Sequence, residues 1–480
     1  MTPTGASLLG DPAALRHVHV VGVGGAGMSA IATVLRAMGH EVSGSDLRES
    51  GVTERLRSLG IAVAIGHDAA NVDGADLVTV STAVRPDNPE VVEAKRRGLP
   101  VLARAEALAA IAGRKRCIAV AGTHGKTTTA SMLALILVEA GLRPSFLIGG
   151  EVNEIGTNAV WDAGEWIVVE ADESDGTFLH LTPDVAVVTN VEADHLDHYG
   201  SFDAVRSAFA EFLASATRGV VGGDDAEARI IGQAAGAALV GLGTDADYRM
   251  ASVATARSSV AFDLVGPDAA LVGHVVVAVP GLHNAKNAAV ATVAAMAAGA
   301  PASAAVRALA RFGGVARRFE FRGEQSGVTF VDDYAHLPTE VRAALAAARN
   351  GAWGRVVAVF QPHRYSRTAE VGEEFGAAFD DADVVVVTDV YGAGEAPVPG
   401  VSGRVVADAV RARRPDVELH YVPGRVDLAD AVRAVLHPGD LCLTLGAGDL
   451  TSLPDELMAA PGVPGETGDR GDRGDPTGAV

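Results

Sequence analysis

Eight residues constrain this chain more than any others: GTHGKTTT, Gly122 to Thr129. The run CIAVA precedes them and an apolar segment from Thr129 to Leu142 follows, a pattern that predicts strand, tight loop and helix. Gly122 and Gly125 can take backbone angles that let consecutive N–H groups point into one concavity. The helix start adds its own unpaired N–H groups and the positive end of its dipole. Lys126 puts a point charge where a terminal phosphate would lie, and Thr127 offers a hydroxyl to Mg²⁺. The full pattern GxxxxGK[ST] asks for Gly at position 120, where this chain has Val120. The GK[ST] triplet between strand and helix still predicts a phosphate loop, with Gly122, Thr123, His124, Gly125, Lys126, Thr127 and Thr128 around a nucleotide.

A chain of 480 residues, 48 % apolar, is too long for one core and predicts several domains. The formal charge of −21 disfavours a nucleic-acid partner but leaves room for small anions in local basic pockets. Cys117 and Cys442 each lie inside an apolar run, which predicts core packing rather than a disulfide or metal site. The first twenty residues lack a basic start followed by an apolar stretch, so no secretory signal is expected. No apolar run is long enough to span a bilayer, and the expectation is a soluble, cytoplasmic protein.

Upstream of the phosphate loop, a short strand from Arg16 to Val21 runs into GVGGAG, Gly22 to Gly27, and then a helix. Gly22, Gly24 and Gly27 match GxGxxG in strand–turn–helix context, and Asp46 ends the next strand. The physics of this loop is close backbone approach to a pyrophosphate, which suits a dinucleotide or a nucleotide sugar. The run from Ser81 to Glu90 follows a strand, where open parallel sheets place ligands. Downstream, the glycine-rich GGEVNEIGTNA, Gly149 to Ala159, reads as an ordered loop over a ligand. The strand WIVVE ends in Glu170, Asp172, Glu173 and Asp175, carboxylates that repel one another unless a cation sits between them. Mg²⁺ fits that role. His195, between Asp194 and Asp197 at another strand end, is a candidate metal or phosphate contact.

From Tyr248 to Val279 short alternating strands predict an antiparallel insert. Asn284 and Asn287 then lie three apart at the start of a helix and can present amide edges to a base. The last third is again α/β. Arg317 and Arg318 stand beside an aromatic; Asp332 and Asp333 end a strand, followed by Tyr334 and His336. In HRYSRT, Arg364 and Arg367 are spaced to stack two guanidinium forks on one side of a helix, a geometry suited to a carboxylate. The stretch from residue 461 to the end is low-complexity and predicts disorder.

GTHGKTTT, EADESD, TNVEADHLDHYGSF, PGLHNAKNA, RRFEF, DDYAHLPTEV, FQPHRYSRT and DVYGAGEAP occur in this order. Together they resemble the Mur ligases, and within them the branch that joins L-alanine to UDP-N-acetylmuramate. The resemblance extends to about Ala460. It implies an α/β fold of three domains. An N-terminal Rossmann-like domain, residues 1–112, would bind the UDP-sugar. A central P-loop ATPase-like domain, 113–322, would carry a mostly parallel sheet with a small antiparallel insert and bind ATP. A C-terminal Rossmann-like domain, 323–460, would bind the amino acid, and 461–480 would be a tail.

The resemblance also implies residue roles. Gly24, Gly25, Ala26, Gly27 and Met28, with Asp46, Ser81 and Asn158, would hold the sugar nucleotide rather than NAD. Lys126 would neutralise the ATP phosphates, and Thr127, Glu173 and His195 would bind Mg²⁺. Asn284, Asn287 and Arg318 would hold adenine and phosphate, and Asp333 the ribose. Tyr334, His336, Arg364 and Arg367 would hold the alanine, with His336 a candidate base. Lys126, Glu173, His195 and His336 form the implied catalytic set, in a monomer or homodimer. Two positions depart from the family pattern. DDYxHHP has a second His where this chain has Leu337, expected to be a packing position. The helix SFDAVRSAF has Arg206 where other branches carry a carbamoylated lysine. A ligase for a recycled peptide on the same fold, a nicotinamide oxidoreductase and a catalytically silent regulator or scaffold are the alternatives. The oxidoreductase leaves the phosphate loop unexplained, and the intact Lys126, Thr127, Glu173 and His195 speak against the scaffold.

Overall fold

The computed structural model describes Leu9 and residues 15–81, 83–351 and 353–459, leaving out the side chain of Asp197. The low-complexity tail, 461–480, lies outside the described residues. Three sheets follow one another along the chain. The first is wholly parallel, formed by β1 (His17–Val21), β2 (Glu41–Asp46), β3 (Ala62–Ile65), β4 (Leu77–Val80) and β5 (Val101–Ala103) in the order β3-β2-β1-β4-β5. The strand order reverses at β1, so a crevice opens where β1 ends, at the glycine loop.

The second sheet has ten strands. These are β6 (Arg116–Ala121), β7 (Ser145–Val152), β8 (Thr157–Val160), β9 (Trp166–Glu170), β10 (Val185–Val188), β11 (Arg218–Gly222), β12 (Ala238–Gly241), β13 (Tyr248–Thr255), β14 (Val260–Val265) and β15 (Leu271–Val277). Their order is β15-β14-β13-β12-β11-β10-β6-β9-β7-β8. The phosphate-loop strand β6 is central, paired in parallel with β9 and β10. The expected antiparallel insert is β13–β15, and it extends the same sheet because β13 pairs with β12 in parallel. At the opposite edge β7 and β8 pair antiparallel. The stretch from Gly149 to Ala159 is therefore mostly a hairpin with an irregular register, not a loop.

The helix Lys126–Glu139 is buried nearly all round, with Met132, Leu133 and Ile136 inside. That is why its sequence shows an unbroken apolar run rather than one stripe. One apolar cluster runs from the first sheet into the second, joining Val18 and Ile31 to Ala119 and Ile167. The third sheet contains β16 (Glu320–Gln325), β17 (Val328–Asp333), β18 (Arg355–Phe360), β19 (Val384–Val387), β20 (Glu418–Tyr421) and β21 (Asp440–Leu445), in the order β16-β17-β21-β18-β19-β20. The pairs from β17 to β20 are all parallel. Its middle strands are fully buried, as the run VVVV in β19 requires.

Two compact units result: one holds the first two sheets up to Glu320 with the segment from Thr339, the other holds Phe321–Pro338 and the chain from Trp353 onward. Cys117 and Cys442 are buried and unpaired, and burial pushes both thiols up to about 12, in keeping with core packing. Among the described residues, no helix is long and apolar enough to cross a membrane.

Candidate active site

In the first unit, the loop after β6 turns through Gly122 at φ +133 and Gly125 at φ +80. A Cβ on Gly122 would stand 2.0 Å from Thr189 Oγ1, and one on Gly125 would stand 2.5 Å from Asn287 Oδ1. Both positions need glycine for conformation and for space. Not every loop N–H is left for a phosphate. Asn190 accepts from Thr123 N–H through its carbonyl (3.1 Å) and from His124 N–H through its side chain (2.8 Å). The first bond of the helix runs from Thr129 N–H to the Gly125 carbonyl, so the N–H groups ahead of it face the loop's mouth.

Lys126 Nζ donates to the Gly122 carbonyl (2.7 Å) and to Glu173 Oε1 (2.6 Å). Burial pulls this ammonium's pKa down, but Glu173, Asp172 and Glu170 outweigh it and hold Lys126 above its ordinary range. Burial pushes the Glu173 carboxyl up to about 7 against the pull of Lys126. The second oxygen, Glu173 Oε2, is buried with no hydrogen-bond partner among the described residues.

The four carboxylates after β9 are divided among different protein partners. Glu170 takes the Thr127 hydroxyl on Oε1 (2.8 Å) and Gly149 N–H on Oε2 (2.6 Å). Asp172 and Asp175 both accept from Arg104 Nη2 at 3.1 Å. Glu173 pairs with Lys126. Among the described residues, no three His, Cys, Asp or Glu side chains form a preformed metal cage. That suits Mg²⁺, which takes one or two protein ligands and completes its shell with phosphate and water. The donors fit it: Thr127 and Glu170 bring two hard oxygens side by side, and Glu173 Oε2 is a buried oxygen in want of a partner. Of the expected ligands, Thr127 therefore sits against Glu170 rather than Glu173. His195 has φ +56 and its Nε2 lies 3.3 Å from Asp194 Oδ2. The Tyr199 hydroxyl, four residues on, donates to the Glu173 carbonyl at 2.6 Å.

His124 turns away from the loop's mouth. Its Nδ1 lies 3.2 Å from Glu340, and its Nε2 lies 3.2 Å from Glu192 and 3.1 Å from the Thr339 hydroxyl. Burial lowers this imidazole's pKa, but Glu340 and Glu192 raise it further, to about 9, so it is a cation at neutral pH. Asn284 and Asn287 share the buried start of helix Leu282–Ala297. Asn287 faces Gly125, while Asn284 spends its amide N–H on the Pro280 carbonyl (2.7 Å). Arg318 lies between Arg317 at φ +61 and Phe319 at φ +48, with Nη1 3.8 Å from Glu340.

At the first sheet, Gly22 and Val23 N–H donate to the Ser45 carbonyl at 2.9 Å each, and Gly24 N–H donates to Asp46 Oδ2 at 2.9 Å. Asp46 thus braces the glycine loop. A cavity of about 260 Å³ opens beside it, lined by Gly25–Met28, Ser81, Arg104 and Asp172. Asn158 reaches this loop from β8, with its Nδ2 3.5 Å from the Ala26 carbonyl. Arg104 Nη1 would stand 3.1 Å from a Cβ on Gly27. The guanidinium therefore spans from the glycine loop to the acidic loop after β9.

In the second unit, Asp333 at the end of β17 accepts from Ala335 N–H (2.8 Å), while Asp332 is locked inward by Thr444 (2.6 Å) and Thr451 (2.7 Å). Tyr334, His336, His363 and Tyr391 form a chain of ring contacts with centroids 5.4, 5.8 and 5.8 Å apart. His336 Nδ1 lies 3.1 Å from the Tyr334 carbonyl. A carbonyl only accepts, so in this bond Nδ1 is the donor. Burial and the charges of His336, Arg367 and Arg364 press His363 down to about 3, so it is neutral. Arg364 precedes helix Tyr365–Val371 at φ +68, so only Arg367 of the expected pair is within the helix.

Three stretches match descriptions of one family: residues 17–116 match "Mur ligase family, catalytic domain", 120–295 match "Mur ligase middle domain" and 317–448 match "Mur ligase, glutamate ligase domain". This chain belongs to the Mur ligase family. Among Mur ligases it is 47 % identical to the UDP-N-acetylmuramate–L-alanine ligase of an Anaeromyxobacter species, over 92 % of this chain and 97 % of that one. It is 48 % identical to the Rubrobacter xylanophilus protein of the same name, over 92 % and 99 %. The structure of the Thermotoga maritima UDP-N-acetylmuramate–alanine ligase superposes with a TM-score of 0.79 at 30 % identity, covering 92 % of this chain and 98 % of that one. A murein peptide ligase from Psychrobacter arcticus gives 0.68 at 25 %, with the same coverage.

The two departures from the Mur ligase pattern have plain structural settings. Leu337 is 8 % exposed, a packing position. Arg206 is held by Asp203 (3.0 Å) and Glu227 (2.6 Å) on the helix Phe202–Ala214. Several engaged residues fall outside the sequence expectations. Asn190 and Glu192 lie in TNVEADH, His363 in HRYSRT and Tyr391 in DVYGAGEAP, so motif membership marks them. Arg104 belongs to no motif; its signal is only its place just after β5.

Proposed function

We propose that this Mur ligase joins L-alanine to the carboxylate of UDP-N-acetylmuramate at the expense of ATP, giving UDP-N-acetylmuramoyl-L-alanine, ADP and phosphate. The reading is carried by 47–48 % identity over 92 % of the chain to relatives named for this reaction. A carboxylate is a poor electrophile, and transfer of the γ-phosphoryl group makes it an acyl phosphate with a good leaving group. The alanine amine then attacks the carbonyl carbon, and the tetrahedral intermediate expels phosphate.

Each residue set has a part in this scheme. Lys126 leaves the Gly122 carbonyl and Glu173 for the β- and γ-phosphates, a stronger pair of anions. The N–H groups of the loop from Gly122 to Thr128 that Asn190 does not take wrap the phosphates. Asn284, Asn287, Arg318 and Asp333 hold the rest of the nucleotide. Thr127, Glu173 and His195, joined by Glu170, would hold Mg²⁺, which when bound neutralises charge on the phosphate oxygens. Gly24–Met28, Asp46, Ser81 and Asn158 hold the sugar nucleotide, and Arg104 offers its guanidinium to the diphosphate. Arg364 and Arg367 take the alanine carboxylate, Tyr334 and His336 flank it, and His336 is the candidate base for the amine's proton. Fixing the reactants in line lowers the barrier by roughly 7–11 kcal/mol at the limit. The division into 1–112 for the sugar nucleotide, 113–322 for ATP and 323–460 for the amino acid follows from these roles.

The variant Lys126→Ala tests the reading. Phosphate release should fall by about a thousandfold, the scale of a lost electrostatic stabiliser. Binding of UDP-N-acetylmuramate by calorimetry should stay unchanged, and retained ligation would refute the role. A competition between L-alanine and a cell-wall tripeptide separates this reading from a peptide ligase, and preference for the tripeptide would favour the latter.

A further inference from the structure

The hairpin of β7 and β8 touches two regions to which separate substrates are assigned above. On one side, Ile148 and Gly149 line a cavity with Ala26 and Gly27 of the glycine loop, and Asn158 reaches the Ala26 carbonyl. Arg55 ties the same hairpin to the first sheet's domain through Glu151 (3.4 Å) and the Gly156 carbonyl (3.4 Å). On the other side, Val152 bridges to Val315, and Glu154 Oε1 accepts from Gly313 N–H. A Cβ on Gly150 would stand 2.7 Å from Val315 Cγ1, so the Gly150 backbone lies against the Val315 side chain. The Val315 carbonyl in turn accepts from Arg318 N–H at 2.9 Å.

Arg318 therefore sits on a held segment. Glu154 holds Gly313, and within the segment Glu320 Oε2 takes Arg317 N–H at 2.7 Å. Arg317 and Phe319, on either side of Arg318, adopt the left-handed region, a conformation kept only where the surroundings enforce it. Glu154 is also out of place for a surface acid: its Oε2 is buried with no hydrogen-bond partner among the described residues.

We propose that Glu154 is a positioning residue that couples the sugar-nucleotide cavity to Arg318. It rests on the functional reading above, in which Arg318 contacts ATP and the glycine loop holds the UDP-sugar. A UDP-sugar seated against Gly149 fixes the hairpin; the hairpin, through Glu154 and Val152, fixes Gly313–Val315; and that segment fixes Arg318 for the nucleotide.

The test is calorimetric titration of the full chain with a non-hydrolysable ATP analogue, with and without saturating UDP-N-acetylmuramate. In the parent chain the sugar nucleotide should tighten analogue binding by about tenfold, a typical coupling between sites. Glu154→Ala should reduce that factor to below about twofold while leaving the affinity for UDP-N-acetylmuramate itself within about threefold of the parent. Glu154→Gln, whose amide oxygen still accepts from Gly313 N–H, should keep most of the coupling. No coupling in the parent, full coupling in Glu154→Ala, or equal loss in both variants would overturn the proposal. Hydrogen exchange on the parent chain decides the matter should Glu154→Ala not fold. UDP-N-acetylmuramate should slow exchange at residues 313–319, and unchanged rates there would overturn it. A parent chain that fails to bind UDP-N-acetylmuramate at all would instead bring down the functional reading.

Discussion

Gly122 is the residue whose replacement the phosphate loop tolerates least. At φ +133, with Thr189 Oγ1 2.0 Å from where a Cβ would stand, alanine meets both backbone strain and a clash. Gly122→Ala should cost about 3 kcal/mol of stability, read from urea midpoints, and lower ATP affinity with it. His124 gives a pH signature. Its folded pKa of about 9 lies above the ordinary 6.5, so its contribution to stability is complete below pH 6.5 and is lost as pH rises through about 9. Urea stability should therefore fall by about 3 kcal/mol between those limits, and His124→Gln should flatten the slope. An unchanged slope would show that the ion pairs with Glu192 and Glu340 do not form. At this scale much was legible in the sequence. Gly122, Gly125, Lys126 and Thr127 lie within six residues of one another, and local spacing dictates what a tight loop before a helix can do. The company of His124 was not legible, because Glu340 stands 216 positions away.

At the scale of elements, the acidic run after β9 shows where one-dimensional reading stops. Four carboxylates in six residues suggest one shared cation, yet the fold divides them among Thr127, Lys126 and Arg104. Arg104, at the start of helix Arg104–Ala112, lies 68 and 71 positions from Asp172 and Asp175. No periodicity encodes a contact of that span. Arg104→Met should raise KM for UDP-N-acetylmuramate by about tenfold with KM for ATP unchanged, measured by initial rates of phosphate release. An equal rise in both would reduce Arg104 to a structural clamp. The β7–β8 hairpin makes the same point in another way. Gly149, Gly150 and Gly156 suggest a loop, but the first two occupy a strand where Glu170, Thr127 and Val315 approach too closely for any side chain. The insert β13–β15, by contrast, follows plainly from its alternation, because a half-exposed strand pattern needs no distant information.

Across the whole molecule, the three α/β sheets and the parallel topology follow from strand and helix runs whose ends carry the motifs. The residues proposed to meet ligands gather at strand ends, where open parallel sheets place their sites: Gly22 after β1, Gly122 after β6, Asp172 after β9, Tyr334 after β17 and His363 after β18. What sequence order does not convey is that the first two sheets share one apolar core. The boundary expected at residue 112 lies within that core, to which Ala112 and Cys117 both belong. In the proposed reaction, ATP energy activates an acid borne by a sugar for attack by one small amino acid. The most direct measurement is phosphate release from ATP with UDP-N-acetylmuramate and each amino acid in turn. L-alanine should drive release, with a matching amount of UDP-N-acetylmuramoyl-L-alanine; release that ignores L-alanine, or none at all, would contradict the account.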